Sequence, residues 1–480
     1  MKQVRAVLFV CLLAVGSPNP AVHTTATAAT AARSPLGMNL SGIQSYTTAF
    51  PFLDVFKSSS SWVSGRGDVW DDGRRIDLDE AGWVRSLAPG QVVHTAFIAS
   101  GIRAPVGRYV VEYEGEGEIV YQEGARIVVR GAGRDVIEVD PSQGNCYLDI
   151  VSVNPQNYLR NIRIHLPVQA PAGEIFNPVF LERIANFKTL RFMGWMLGDN
   201  PEQISQRTWS ERPTLGDARW SDRGVPVEIL IDLANRVGAD PWFSMPHQAD
   251  DDYVRHFAEV VRDRLEPSLK VYVEHSNEVW NSTFSVYEYA SQRGLALGLS
   301  TDPDEARWRY HIQRSREIFA IVEEVLGRDR LVRILAAQED GPYIAEQMLA
   351  YGETASHIDA LAIGAYFGVE LGLPESQARV RRMTVDDLFH ELETVTLPAA
   401  MQSVSENAAI AVRYGVPLVA YEGGQHLSSI MSGIDDPAIN ALFDAANRDP
   451  RMGRLYTRLL EEWSTVSGGG LFLHLDECGR

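Results

Sequence analysis

The chain reads as an α/β protein, a (β/α)8 TIM barrel with an inserted or N-terminal β-sandwich module. Three observations predict this. Apolar strand-like runs alternate with amphipathic helical stretches over residues 189–475, the order of a parallel sheet. An isolated strand-like run, LGMNLSGI at residues 36–43, lies far upstream and supplies an eighth strand. Between them the texture is all-β, with apolar and polar residues alternating and Gly-containing turns recurring through GRYVVEYEGEGEIVYQEGARIVVRGAGRDVIEVDP, residues 107–141.

The barrel elements follow in order. FNPVFLERIANF is helical, TLRFMGWM a strand, PVEILIDLANRVG a helix and PWFSMPH a strand. DDYVRHFAEVVRDRL is a helix, KVYVEHSNEVW a strand, ARWRYHIQRSREIFAIVEEVLG a helix and LVRILAAQ a strand. IDALAIGAYFG is the next strand, SVSENAAIAVRYG a helix, VPLVAYEGG a strand, MGRLYTRLLEEWSTV a helix and GGLFLHL the last strand. The expected division is a leader over 1–28, a barrel over 35–64 and 170–480, and a sandwich over 65–168. An open seven-stranded sheet with the sandwich N-terminal to it is the competing arrangement.

The start has the form of an export signal. Lys2 and Arg5 precede an apolar run too short to span a bilayer, and a small-residue tract follows with the A-x-A pattern Ala26-Thr27-Ala28. A secreted or periplasmic protein is therefore expected, with no membrane association after cleavage. The net charge of -19 over 480 residues argues against nucleic acid, which requires clustered Lys and Arg. Outside the leader Cys146 and Cys478 remain, compatible with one disulfide or two separate thiols. No zinc spacing occurs, and neither metal nor cofactor is implied. The run of three Asp at 250–252 reads as a helix N-cap rather than a calcium site. The sequons at Asn39 and Asn281 and the SGGG loop at 467–470 carry no reading of their own.

In a barrel the chemistry sits at the C-terminal ends of the strands. Those ends carry Arg191, His247, Asn277 with Glu278, Tyr366 and Glu422. Singly each is ambiguous, since a strand-end Glu can pair with an Arg, Tyr366 can be a rim aromatic and His247 a packed turn residue. Together they place Glu278 and Glu422 on the fourth and seventh strands, facing each other across the mouth. Two opposed carboxyl groups are what glycoside hydrolysis needs, one to protonate the leaving oxygen and one to attack the anomeric carbon or activate water. Strict alternation puts Asn277 and Glu278 on opposite faces, so a twist or bulge is required at that strand end. Trp280 suits a sugar-stacking wall, and Trp195, Trp209, Trp220 and Trp242 lie near predicted loops as further candidates.

The Asn-Glu pair ending the fourth strand and the Glu ending the seventh resemble the clan A glycoside hydrolases, which are retaining (β/α)8 enzymes. LGMNLSG, NEVWN and AYEGG also resemble bacterial proteins loosely labelled cellulose-binding. Val279 stands where many clan members carry Pro, so the particular family stays open. The resemblance implies that Glu278 is the general acid/base and Glu422 the nucleophile in hydrolysis of a β-linked poly- or oligosaccharide. It implies that Asn277 binds the sugar 2-hydroxyl, that Arg191 and Tyr366 keep Glu422 ionised, and that His247 lines the mouth. The alternative on the same scaffold is a non-catalytic carbohydrate-binding protein. Clan barrels close with a helix after the eighth strand, whereas here the last strand runs into LFLHLDECGR, so either another segment covers that flank or the chain is truncated.

Overall fold

In a computed structural model, residues 34–196, 206–428 and 436–476 are described. The expected leader and Cys478 lie outside them. Strand β1 (Ser34–Asn39) opens the barrel. The chain then leaves it for ten short strands: β2 (Val63–Gly65), β3 (Asp77–Leu78), β4 (Val84–Ser86), β5 (Val92–Ile98), β6 (Gly107–Glu114), β7 (Gly117–Glu123), β8 (Ala125–Gly131), β9 (Arg134–Val139), β10 (Cys146–Val153) and β11 (Arg160–His165). It returns through β12 (Phe187–Arg191), β13 (Asp240–Met245), β14 (Val271–His275), β15 (Leu331–Ala336), β16 (Ala360–Phe367), β17 (Leu418–Gln425) and β18 (Phe472–His474).

Those seven strands and β1 close a parallel barrel in the order β1-β12-β13-β14-β15-β16-β17-β18. Closure is direct, because Leu36, Gly37 and Met38 of β1 pair with Phe472, Leu473 and His474 of β18. The open-sheet arrangement is therefore excluded. The flank of the last strand is not bare either. Phe472 is buried edge-on against Trp463, and Leu473 is buried inside the barrel.

The helices between strands bury one face. Val227–Val237 presents Leu230, Ile231, Leu233 and Ala234 to the barrel wall and stops at Gly238 in the left-handed region (φ 68°). The Asp run caps the next helix, Asp251–Arg264, with the Asp250 carboxylate accepting from the Tyr253 amide at 2.8 Å. Among the described residues no helix is long and apolar enough to cross a membrane.

The inserted strands form two four-stranded sheets, β2-β5-β10-β7 and β11-β6-β9-β8, beside a ribbon of β3 and β4. Their strands pair antiparallel throughout the described residues. Val93, Phe97, Leu148 and Ile150 of one sheet share a buried cluster with Tyr109, Val111, Ile137 and Ile164 of the other, and with Cys146. The sheets also meet the barrel. In the loop after β12, the Ala218 amide bonds Ala81 and the Trp220 amide bonds Lys57, while Lys57 Nζ donates to the Asp217 carbonyl.

The barrel interior is layered, as inward side chains of alternate strands require. An apolar layer holds Trp242 stacked on Tyr272 (5.4 Å, 11°) with Ile334, Ala336, Ala360, Ala362 and Val419. A polar layer built on Asn39, Arg191, Ser244, Glu274 and Glu422 lies toward the C-terminal strand ends.

Candidate active site

Arg191, the last residue of β12, organises the polar layer. It is 1% exposed and uses every N–H of its guanidinium. Nε and Nη2 reach Glu274 Oε1 at 3.0 and 2.5 Å, and Nη2 reaches Asn277 Oδ1 at 2.9 Å. Nη1 reaches Asn39 Oδ1 at 3.1 Å and Glu422 Oε2 at 3.0 Å. Burial works against its charge, but Glu274 and Glu422 more than offset this and hold it protonated. Ser244 Oγ donates to the same Glu274 oxygen at 2.5 Å.

Two breaks in strand geometry deliver the carboxylates. β14 ends at His275, whose ring nitrogen lies 3.0 Å from His311 on the helix Pro303–Leu326. Ser276 (φ 63°) and Glu278 (φ 38°) then take left-handed backbone, costly for residues with a Cβ. This reversal lets consecutive Asn277 and Glu278 both join the network, which alternation alone forbids. In β17 the register slips by one residue: Ile363 pairs with Ala420 and Gly364 with Glu422, leaving Tyr421 as a bulge. Consecutive Tyr421 and Glu422 then both meet Arg191, the phenol ring 5.0 Å from the guanidinium carbon.

Glu278 is half-buried and held at both oxygens. Tyr421 Oη donates to Oε1 at 3.0 Å and Asn281 Nδ2 donates to Oε2 at 2.8 Å. Glu422 is more enclosed, at 7% exposure, with Arg191 on one side and a Tyr366 hydrogen bond on the other. Burial pushes its carboxyl up to about 7, with Arg191 and Tyr366 pulling down and Glu278 and Glu274 pushing up. Arg191 and Tyr366 both favour the ionised form of Glu422, while burial opposes it and Arg191 is shared with Glu274. The Tyr366 and Tyr421 phenols are raised well above the usual range, by burial and then by neighbouring carboxyl groups.

The other expected residues divide. Trp280 is half-buried beside Tyr421 (6.2 Å), at the edge of the site. His247 packs edge-on against Tyr289 (5.1 Å), and burial lowers its imidazole to about 4, so it is neutral across ordinary pH. Trp195 offers no face to a sugar. It is 0% exposed among Phe52, Phe180 and Phe192. Trp220 packs on Phe52, Trp242 lies inside the barrel, and half-buried Trp209 sits against Tyr253 and His256.

Five site residues escaped the sequence reading: Asn39, Glu274, Asn281, Glu339 and Tyr421. Glu339 follows β15 as Glu278 follows β14, so the strand-end rule applied to the fifth strand would have found it. Both its oxygens lie 3.2 Å from the Tyr366 amide. A Cβ on Gly364 would stand 2.9 Å from Glu339 Oε2 and 3.4 Å from Tyr421 Oη, so the bare glycine makes room for both. Burial, then the charges of Asp340, Glu278 and Glu422, raise the Glu339 carboxyl to about 8.

No family profile matches the chain, and no curated protein matches it in sequence. Distant matches occur among solved structures. Fungal β-1,4-galactanases share 12% identity over 62% of this chain and 81% of theirs, with a TM-score of 0.34. A family 51 α-L-arabinofuranosidase from Bifidobacterium longum shares 9% over 62% of this chain and 59% of that one, with a TM-score of 0.38. A modular endo-β-1,4-mannanase from Cellulomonas fimi shares 12% over 60% of this chain and 56% of that one, with a TM-score of 0.31. The cellulose-binding label finds no support among these matches.

Proposed function

We propose that the protein is a retaining glycoside hydrolase acting on a β-linked poly- or oligosaccharide. The observation that carries this is the delivery of Glu278 and Glu422, from opposite strand ends, to one network by two separate distortions of strand geometry. Glu278 protonates the glycosidic oxygen while ionised Glu422 attacks the anomeric carbon, so the C–O bond breaks and a glycosyl ester forms on Glu422. Glu278 then takes a proton from water, which displaces Glu422 and restores both groups. In this reading Asn277, held by Arg191, binds the sugar 2-hydroxyl and Trp280 stacks on a pyranose face.

The second reading is non-catalytic glycan binding, favoured by the near-complete burial of Glu422. Turnover on a panel of β-linked oligosaccharides separates the two. Glu278→Gln and Glu422→Gln should each lower kcat by at least about 10³-fold with binding retained. A wild-type protein that binds these glycans without cleaving any would establish the binding reading. A 2-deoxy-2-fluoroglycoside should label Glu422, detectable by peptide mass.

The sequence features of the first residues support export, and the inserted sheets suit an accessory glycan-binding role. Trp70 is 45% exposed, stacked on His94 (4.0 Å, 13°) with Tyr147 tilted against it (4.7 Å, 57°).

A further inference from the structure

We propose that this site selects glycans uncharged at the bound unit and rejects uronates, with Glu339 as the specificity-determining residue. The inference rests on the glycosidase reading and names its substrate class. A uronate carboxylate in a half-buried site needs a cationic partner. Arg191, the guanidinium at the centre, has none to offer, because all five of its N–H groups are engaged by Glu274, Asn277, Asn39 and Glu422. The segments following β13, β14 and β15 read PHQAD, SNEVWNSTF and AQEDG, without a single Lys or Arg. What they add is negative: Asp250, which caps the next helix, with Glu278, Glu339 and Asp340.

Glu339 is the member placed to discriminate. It is half-buried, anchored to the Tyr366 amide, and within the field of both Glu278 and Glu422. Among the described residues no ion pair involves it. A sugar hydroxyl satisfies this carboxyl in either state, donating to the carboxylate or accepting from the acid. An added anion leaves at least one carboxylate unpaired and out of water. Because the group ionises near pH 8, the repulsion is largest above that pH.

The test uses matched pairs: β-linked gluco-, galacto- and manno-oligosaccharides against the same compounds oxidised to the uronate at the non-reducing unit. Wild-type kcat/KM should favour the neutral member by at least about 100-fold. Glu339→Gln should narrow that ratio about tenfold at pH 9 and leave it nearly unchanged at pH 6, where the native group carries its proton. A merely structural role for Glu339 would lower stability without a pH-dependent change in the ratio. Equal hydrolysis of both members overturns the selectivity, and a ratio unmoved by Glu339→Gln at pH 9 overturns the assignment of the residue. If neither member is hydrolysed, the glycosidase reading fails separately. Calorimetric titration of the same pairs then decides, with preference for the neutral member supporting the inference, and equal or absent binding overturning it.

Discussion

At the residue scale, the chemistry depends on how one guanidinium divides between two buried carboxylates. Removing its charge leaves Glu274 unpaired at 1% exposure, so Arg191→Met should destabilise the fold by about 3–5 kcal/mol, measurable by urea unfolding. Glu422 must be ionised to attack and its carboxyl lies near 7, so kcat/KM should rise with pH through that value. Glu274→Gln removes both the competitor for Arg191 and a neighbouring negative charge. The rising limb should therefore move to lower pH, and an unmoved limb would contradict the account. Glu339 offers a check independent of activity. A carboxyl raised in the folded state contributes stability fully present below its unfolded pKa and lost as pH rises through its folded one. The thermal midpoint of wild type should fall more steeply between pH 5 and 9 than that of Glu339→Gln. Little of this was readable beforehand. Arg191, Glu278 and Glu422 stood out at strand ends, whereas Glu274 sits one turn of the pleat deeper, where a sequence shows only an acidic residue within an apolar strand. Trp195 failed for the complementary reason, since nearness to a loop does not say which way a ring turns.

At the element scale, regular stretches were legible, and of their interruptions only the break at the strand end carrying Asn277 and Glu278 was, not the bulge at Tyr421. Alternation and helical periodicity located β1 and β12 to β18 to within a few residues, because each strand must bury apolar side chains on the wall and in the interior. The first interruption showed as a conflict between alternation and the chemistry of Asn277 and Glu278, whereas the bulge at Tyr421 arises from a tertiary demand and leaves no periodic trace. They are testable through the backbone. Ser276→Gly relieves the left-handed position and should stabilise the protein by up to about 1 kcal/mol, whereas Ser276→Val should cost about 1–3 kcal/mol. Gly364→Ala places a methyl group 2.9 Å from Glu339 Oε2 and should lower kcat/KM with only a small change in thermal midpoint.

At the scale of the whole molecule, the barrel closes on a strand separated from the rest by ten inserted strands. Loop closure grows only logarithmically with length, so the detour costs little in stability. The insertion is also joined to the barrel on the far side of the chain. Ala218 belongs to the buried cluster of the two sheets and Trp220, two residues on, to that of the barrel. One loop thus serves both cores, and scanning calorimetry should show a single cooperative transition. Two resolved transitions would mean the sheets unfold alone.

The amide of Asn281 carries a last consequence. Its nitrogen holds Glu278, and that of Asn39 donates to the Tyr421 carbonyl at 2.9 Å. Both asparagines sit in Asn-x-Ser/Thr sequences. A host that attaches oligosaccharides cotranslationally would modify the two nitrogens on which this network depends, and the product would emerge with its carboxyl pair disarranged. Recombinant material from a yeast or insect secretory pathway should therefore be inactive unless made with a tunicamycin block, while bacterial material retains the site intact.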